Sequence, residues 1–186
     1  MSAQSHKVKF TYEDYLLFPE DGKRHELIDG EHYMTPAPST KHQKVSRNLF
    51  SLLHTHVQSK KAGEVFYAPT DVVFSDLDVV QPDLVFISSA KSSIITEKNI
   101  QGAPDLVIEI ISETTRKTDE VIKRKLYEHY GVQEYWVVDP ELETVKVYRM
   151  DQQRYTRVAE LAHETGDSLT TPLLPHLTIS LTEIFE

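Results

Sequence analysis

The stretch Leu106-Val107-Ile108-Glu109-Ile110-Ile111 decides the fold, because every residue in it except Glu109 is aliphatic. A continuous apolar run is typical of a strand that is buried on both faces of a sheet covered by helices. Side chains alternate along a strand, so Val107, Glu109 and Ile111 share one face. Glu109 is then a carboxylate inside a core, which is costly unless it is paired, protonated or bound to a cation. The alternative is that Glu109 lies near the strand end and hydrogen-bonds a loop or forms an ion pair.

The residues that follow this run predict a strand-helix-strand unit. A helical pattern over residues 118–130 is closed by Gly131, and a second apolar strand follows at residues 135–138. This order, over about 35 residues, favours a right-handed crossover with both strands in one sheet.

The rest of the chain supplies shorter elements. Asp29-Gly30 favours a tight hairpin between two strands within residues 25–34, since both residue types tolerate positive φ angles. Apolar residues at helical spacing predict a helix from residue 39 to near Gly63. Further expected elements are a short helix in 10–18, strands at 64–67, 71–75 and 84–87, and an antiparallel hairpin of 144–150 with 155–161.

We therefore predict an α/β (α+β) fold, a mixed β-sheet flanked by helices, with a C-terminal β-hairpin. No repeat, low-complexity run or linker divides the chain, so we expect one domain over residues 1–186, with residues 1–9 disordered.

The amino-acid composition excludes several kinds of site and argues against some kinds of partner. The chain has no cysteine, which excludes disulfides, thiolate metal sites and a cysteine nucleophile and fits a cytoplasmic location. We expect no membrane-spanning or signal segment, because no apolar run approaches about 20 residues. Its 20 basic and 29 acidic residues give a net charge of −9, which argues against general nucleic-acid binding but leaves a local site open.

Lys125 is a polar residue on the apolar side of the predicted helix at residues 118–130. At about 100° per residue with Val121 at zero, Lys125 falls near 40°, inside the arc that holds Val121 and Ile122. A lysine there either extends to the rim of the core or faces a cluster of negative charge, for which Glu109 is the obvious candidate.

Two more carboxylates extend this pattern. Asp83 stands just before the strand at residues 84–87, where alone it is typical of a turn. Carboxylates on neighbouring strands together with a lysine form an oxygen-ligand arrangement suited to Mg²⁺. Glu26 is either a third such carboxylate or an exposed hairpin residue. Asp105 is excluded, since it lies about 13 Å from Glu109 along the same strand face.

Taken together, these residues resemble the PD-(D/E)xK nuclease superfamily, and the whole-chain pattern from about residue 12 to 185 is similar to the Uma2 family of restriction-endonuclease-like proteins. At residue 176 the chain has histidine where that family more often has glycine. The matching stretches are residues 25–31, 36–49 with His42 and Ser46, 81–85, 103–112, 125–140 and 172–185.

The resemblance implies a restriction-endonuclease-like fold and a set of site residues. It assigns Asp83 and Glu109 to the two acidic motifs and Glu26 to the metal shell. The superfamily's lysine normally stands two positions after the second acid, where this chain has Ile111. Lys125 matches the position to which the lysine has migrated in Uma2.

We therefore expect a Mg²⁺-dependent (or Mn²⁺-dependent) endonuclease that hydrolyses DNA phosphodiester bonds, with Asp83, Glu109 and Lys125 catalytic and Asp83, Glu109 and Glu26 binding the metal. Two basic runs could contact nucleic acid, although a solvated helix face explains either run taken alone. Their members are Lys41, Lys44, Arg47, Arg116 and Lys117.

Two alternatives stay open. A catalytically inactive nuclease-fold module for binding or assembly is favoured if the acidic side chains and the lysine do not converge. A hydrolase of small phosphorylated molecules is favoured by a closed pocket. We also expect a homodimer, on the basis of Tyr148 and Tyr155 in the C-terminal hairpin and of the way in which restriction-type enzymes cut both strands.

Overall fold

The computed structural model describes residues 8–186. The α-helices within this range are α1 (Tyr12–Tyr15), α2 (Thr40–Lys60), α3 (Arg124–His129) and α4 (Leu181–Phe185), and two 3-10 helices span Ser89–Ile94 and His163–Thr165. A π-helical turn, Thr118–Lys123, leads directly into α3. The strands are β1 (Arg24–Ile28), β2 (Glu31–Thr35), β3 (Gly63–Tyr67), β4 (Val72–Ser75), β5 (Asp78–Val80), β6 (Leu84–Ser88), β7 (Ile100–Gln101), β8 (Leu106–Ile110), β9 (Glu134–Asp139), β10 (Thr144–Asp151), β11 (Arg154–Ala162), β12 (Ser168–Leu169) and β13 (Ile179–Ser180).

The central layer is a six-stranded mixed sheet in the order β11-β10-β9-β8-β6-β3. Strands β8 and β9 are parallel, as the strand-helix-strand pattern predicted. Strand β6 runs antiparallel to β8 with Leu84 opposite Ile108. This register brings Asp83, one residue before β6, beside Glu109.

The two faces of β8 lie in two different cores. Leu106, Ile108 and Ile110 pack with buried residues of α2 on one face. Val107 and Ile111 pack with residues of α3 on the other. The predicted alternation along β8, and the predicted mixed sheet with helices on both faces, are therefore confirmed. The α2 residues in the first core are Val45, Leu49, Leu53 and Val57.

A second sheet has the order β2-β1-β5-β4-β7, and Glu26 of its strand β1 is linked through Lys123 to Glu109 of β8. The β1-β2 hairpin turns at Asp29 and Gly30, whose φ angles are 50° and 69°. A Cβ atom on Gly30 would lie 2.7 Å from Cβ of Lys9, so this position requires glycine. The predicted hairpin is confirmed, and it fixes Glu26 on β1.

The predicted C-terminal hairpin is present as β10 and β11, which pair antiparallel. The expected single domain over residues 1–186 stays a prediction. The expected disorder of residues 1–9 falls, for residues 1–7, outside the described part of the chain. Within residues 8–186, no helix is both long and apolar enough to cross a membrane.

Candidate active site

A cavity of about 430 Å³ lies at the end of β8 where Glu109 emerges. Its walls come from β1, the loop before α2, the first turn of α2, β8 and the π-helical turn. Several of its rim residues, including Glu113 and Glu141, are exposed, so the cavity reaches the surface. The charged and polar side chains in its wall include Arg24, Glu26, His42, Asp83, Glu109, Asp119 and Lys123.

Glu109 is 2% exposed and is bound by two donors from the helical segment that covers its strand face. The Tyr127 hydroxyl donates to Glu109 Oε1 over 2.6 Å. The Lys123 ammonium donates to the same oxygen over 3.1 Å. Burial raises the pKa of Glu109 to about 8; the charge of Lys123 opposes this rise, while nearby carboxylates add to it. Glu109 is therefore a carboxyl group held in an environment short of positive charge.

Asp83 is equally buried but has the opposite electrostatic environment. Arg24 Nη1 donates to Asp83 Oδ1 over 2.6 Å. His42 Nε2 and the backbone N–H of Ile110 donate to Oδ2 over 3.1 and 2.8 Å. Burial alone works to raise the pKa of Asp83, but the bonds and charges of His42 and Arg24 lower it to about 2. The two adjacent carboxyl groups thus differ in protonation at neutral pH, a pattern that marks acid–base sites.

Glu26 joins the same cluster from β1. Its Oε1 accepts from the Lys123 ammonium over 2.7 Å and from the backbone N–H of Gln81 over 2.8 Å. Glu26 is 2% exposed, so the interpretation of this residue as an exposed hairpin side chain is wrong. The structure brings together Glu26, Asp83 and Glu109, as the sequence led us to expect.

The lysine of the cluster is Lys123, and the expectation that Lys125 points toward Glu109 is corrected. Lys125 is exposed and lines a separate depression beside Glu128 and His129. The predicted orientation failed because its reference residue, Val121, is itself 41% exposed. Lys123, by contrast, is 4% exposed.

The sequence contains a spacing of polar residues that points to Lys123, but a search for apolar periodicity does not detect it. Asp119, Lys123 and Tyr127 are spaced i, i+4 and i+8, and all three are buried on the side of the helical segment that faces Glu109. When the buried face of a helix is identified from apolar residues alone, charged residues that are buried as ion pairs are missed. The π-helical geometry of Thr118–Lys123 also departs from the 100° rotation on which the prediction relied.

Three further residues of the site were not assigned in advance. Arg24 and His42 bind Asp83, and the sequence indicates His42 only as part of a stretch that matches the Uma2 family. Asp119 is a fourth buried carboxylate, and its Oδ1 lies 3.7 Å from the Lys123 ammonium. Burial raises the pKa of Asp119 to about 6, against the opposing charge of Lys123.

Two of the five predicted nucleic-acid-binding residues have their positive charge paired with a carboxylate. Lys41 forms an ion pair with Glu141 over 3.2 Å. Arg116 forms one with Asp139 over 2.7 Å. Lys44, Arg47 and Lys117 are exposed.

Asp105 lies outside the cluster. Its carboxylate accepts from the backbone N–H of Ser88 over 2.7 Å and pairs with Lys91 over 3.1 Å. Its exclusion from the acidic set agrees with these contacts.

The mixed sheet flanked by helices, with Asp83 directly before β6 and Glu109 on the adjacent strand β8, is the architecture expected of the restriction-endonuclease-like class of α+β proteins. The Uma2 family model, described as "Putative restriction endonuclease", matches residues 12–182. The chain therefore belongs to the Uma2 family, and the resemblance noted in the sequence is confirmed.

A solved structure shows the same fold. It is described as a "putative nuclease belonging to DUF820 from Anabaena variabilis ATCC 29413". It superposes with a TM-score of 0.79 at 24% sequence identity, covering 95% of this chain and 97% of the other. Among curated proteins, no similar sequence was found.

Proposed function

We propose that this chain is a divalent-metal-dependent endonuclease that hydrolyses DNA phosphodiester bonds in the pocket around Glu109. The observation that carries the proposal is the Lys123 ammonium, which is buried between Glu26 Oε1 at 2.7 Å and Glu109 Oε1 at 3.1 Å. In a pocket that reaches the surface, the paired carboxylates supply oxygens that can bind a cation, and the lysine supplies positive charge. Phosphodiester hydrolysis requires both.

The donor set suits a hard divalent cation. The three expected ligands are the carboxylates of Glu26, Asp83 and Glu109. Together with the nearby carboxylate of Asp119 they face two cations, Lys123 and Arg24. The raised pKa of Glu109 reflects this excess of negative charge in addition to burial. Oxygen ligands of this kind bind Mg²⁺ or Mn²⁺.

The carboxylates are engaged by the chain's own cations in this structure. Among residues 8–186, no group of three His, Asp or Glu side chains is already arranged around a common metal position. The Lys123 ammonium lies between Oε1 of Glu26 and Oε1 of Glu109, so a metal bound through these two oxygens would replace Lys123 as their positively charged partner.

The roles of the residues follow from their contacts. Glu26, Asp83 and Glu109 would hold Mg²⁺ or Mn²⁺, which when bound polarises a phosphate oxygen and lowers the pKa of water. Lys123 would donate to the phosphate as negative charge develops, or orient the attacking water. Arg24 and His42 keep Asp83 ionised and oriented.

DNA as the substrate is supported by the family description and by where the basic residues lie. Lys41 is in the first turn of α2, whose start lines the pocket, and Arg116 follows the pocket residues Ser112 to Thr115. Lys41 can exchange its partner Glu141 for phosphate, because exposed ion pairs are weak, whereas the Asp139 partner of Arg116 is buried. The exposed rim also suits a polymeric substrate better than the closed pocket expected for a small one.

Two finer expectations are part of the proposal. A cytoplasmic location is supported by the absence of cysteine. A homodimer would place two sites on one duplex. Of the two hairpin tyrosines, Tyr148 is buried within the chain and Tyr155 is partly exposed. The Tyr148 ring lies 6.2 Å from that of Tyr135, and the Tyr155 hydroxyl donates to the carbonyl of Val132.

The test is cleavage of supercoiled plasmid and of single-stranded DNA by the wild type, Glu109→Gln and Asp83→Asn, with Mg²⁺, Mn²⁺ or EDTA. We expect metal-dependent nicking by the wild type and a loss of about 100-fold or more in each variant. Equal nicking by all three proteins would place the activity elsewhere. No nicking by the wild type in any condition would favour the inactive nuclease-fold module.

A further inference from the structure

The Lys123 ammonium has three carboxylate neighbours. Its Nζ lies 2.7 Å from Glu26 Oε1, 3.1 Å from Glu109 Oε1 and 3.7 Å from Asp119 Oδ1. The first two contacts are hydrogen bonds, whereas the third is an ion pair beyond hydrogen-bond length. Asp119 is therefore the only one of these three carboxylates that does not accept a hydrogen bond from Lys123 in this structure.

The proposed metal site makes this arrangement unstable for the lysine. When the Oε1 atoms of Glu26 and Glu109 turn toward a divalent ion, Lys123 loses both of its hydrogen-bond acceptors. The side chain of Lys123 is 5% exposed, so its charge has little access to water. A buried cation without a partner is strongly unfavourable, and the ammonium must either leave the pocket or find another carboxylate inside it.

Asp119 is placed to be that carboxylate. It lies four residues before Lys123 on the same helical segment, so a small change in the lysine side-chain torsions closes the 3.7 Å gap. The backbone of Asp119 is held firmly, because its N–H donates to the Thr115 carbonyl and its carbonyl accepts from the Tyr135 hydroxyl. Asp119 also lines the pocket, so a lysine bound to it stays beside the reacting phosphate.

We infer that Asp119 is a positioning residue that receives the Lys123 ammonium when Glu26 and Glu109 bind the divalent ion, an inference that rests on the proposed metal-dependent function. Lys123 thus has two positions in the pocket. In the metal-free protein it bridges Glu26 and Glu109, and in the metal-loaded protein it pairs with Asp119 and faces the substrate. Asp119 acts through Lys123 and does not itself contact the metal.

The neighbouring residue Glu120 provides a matched control. It is an acidic residue on the same turn, but it pairs with Lys146 over 2.7 Å outside the pocket. Removing its charge changes the net charge of the protein by the same amount as removing that of Asp119, without touching Lys123.

The test is a double-mutant cycle read by calorimetric titration with Mn²⁺, using the wild type, Asp119→Asn, Lys123→Met and the double variant, with Glu120→Gln as the control. We expect Asp119→Asn to weaken Mn²⁺ binding about tenfold in the wild-type background and less than about twofold in the Lys123→Met background. Glu120→Gln should bind as the wild type does. Thermal unfolding checks that each variant is folded, and Asp119→Ser is measured beside Asp119→Asn in case the amide variant does not fold.

The other outcomes overturn the inference in different ways. Equal weakening in both backgrounds would make Asp119 a metal ligand or a general source of negative charge. No weakening in either would mean that Lys123 does not move to Asp119. If the wild type binds no Mn²⁺, both the proposed function and the inference fail. If the wild type binds Mn²⁺ and the variants bind it equally well, only the inference fails.

Discussion

Lys123 and Glu109 meet inside the pocket, with Nζ 3.1 Å from Oε1, although they are 14 residues apart in the sequence and lie on a helical turn and a strand. The contact joins the two elements that enclose the site. It also explains how a carboxyl group is tolerated in β8, since Glu109 accepts hydrogen bonds from the buried side chains of Lys123 and Tyr127.

The stability of the metal-free protein should depend on Lys123 and not on Lys125. Lys123→Met leaves Glu26 and Glu109 without their shared buried cation, and we expect the free energy of unfolding to fall by about 3 kcal/mol. Lys125→Met, an exposed change two residues away, should alter it by less than about 0.5 kcal/mol. Urea denaturation of both variants measures the difference, and similar values for the two would contradict the assigned ion pairs.

Metal binding should strengthen as the pH rises. Burial raises the pKa of Glu109 to about 8, so in the metal-free protein at pH 7 most Glu109 carries a proton, and metal binding must release it. We expect Mn²⁺ affinity to increase by up to about tenfold per pH unit below pH 8 and to level off above it. Titrations across this range should give a flatter profile for Glu109→Gln. An equally flat profile for the wild type would show that Glu109 does not bind the metal.

Acid should remove a contribution that Asp83 makes to stability. The pKa of Asp83 is about 2 in the folded protein, below its ordinary value of 3.8. A depressed carboxyl pKa contributes stability above the unfolded value, and that contribution is lost as the pH falls through the folded value. The shift corresponds to about 2 kcal/mol.

We therefore expect Asp83→Asn to be less stable than the wild type at pH 6, with the difference shrinking between about pH 4 and pH 2. Chemical denaturation of both proteins at several pH values measures it. If the difference in stability does not change with pH, the charge of Asp83 contributes nothing to stability beyond its hydrogen bonds.

The hydroxyl of Tyr127 should affect both stability and metal affinity. It donates to Glu109 Oε1 over 2.6 Å, and Tyr127→Phe removes that donor from a buried carboxyl group. We expect a loss of about 1 to 2 kcal/mol in stability and a several-fold weaker affinity for Mn²⁺. Tyr155→Phe is the control, since its hydroxyl donates to the carbonyl of Val132 away from the pocket. Weakened Mn²⁺ binding by the control variant as well would argue against a specific effect at Glu109.

The fold could be read from the sequence wherever one physical signal dominated. The apolar run of β8, interrupted only by Glu109, predicted burial on both faces. The alternation placed Glu109 on the face of Val107 and Ile111, which in the structure lies away from α2. Asp29-Gly30 predicted its hairpin because few other dipeptides accept two positive φ angles.

The site could be predicted only in part. Asp83 and Glu109 were found because carboxylates stand out beside apolar strands. Lys123 was missed because the face of its helix is buried through charge pairing, which hydrophobic periodicity does not detect. Arg24 and His42 come from distant parts of the chain, and their contact with Asp83 depends on how the sheets and α2 pack.

The most direct test of the account compares Lys123→Met with Lys125→Met in single-turnover DNA cleavage at saturating Mn²⁺. The structure buries Lys123 against Glu26 and Glu109 and exposes Lys125 on a separate surface. We predict that Lys123→Met lowers the cleavage rate by about 100-fold or more, while Lys125→Met stays within about twofold of the wild type. Loss of activity in Lys125→Met with normal cleavage by Lys123→Met would contradict the account.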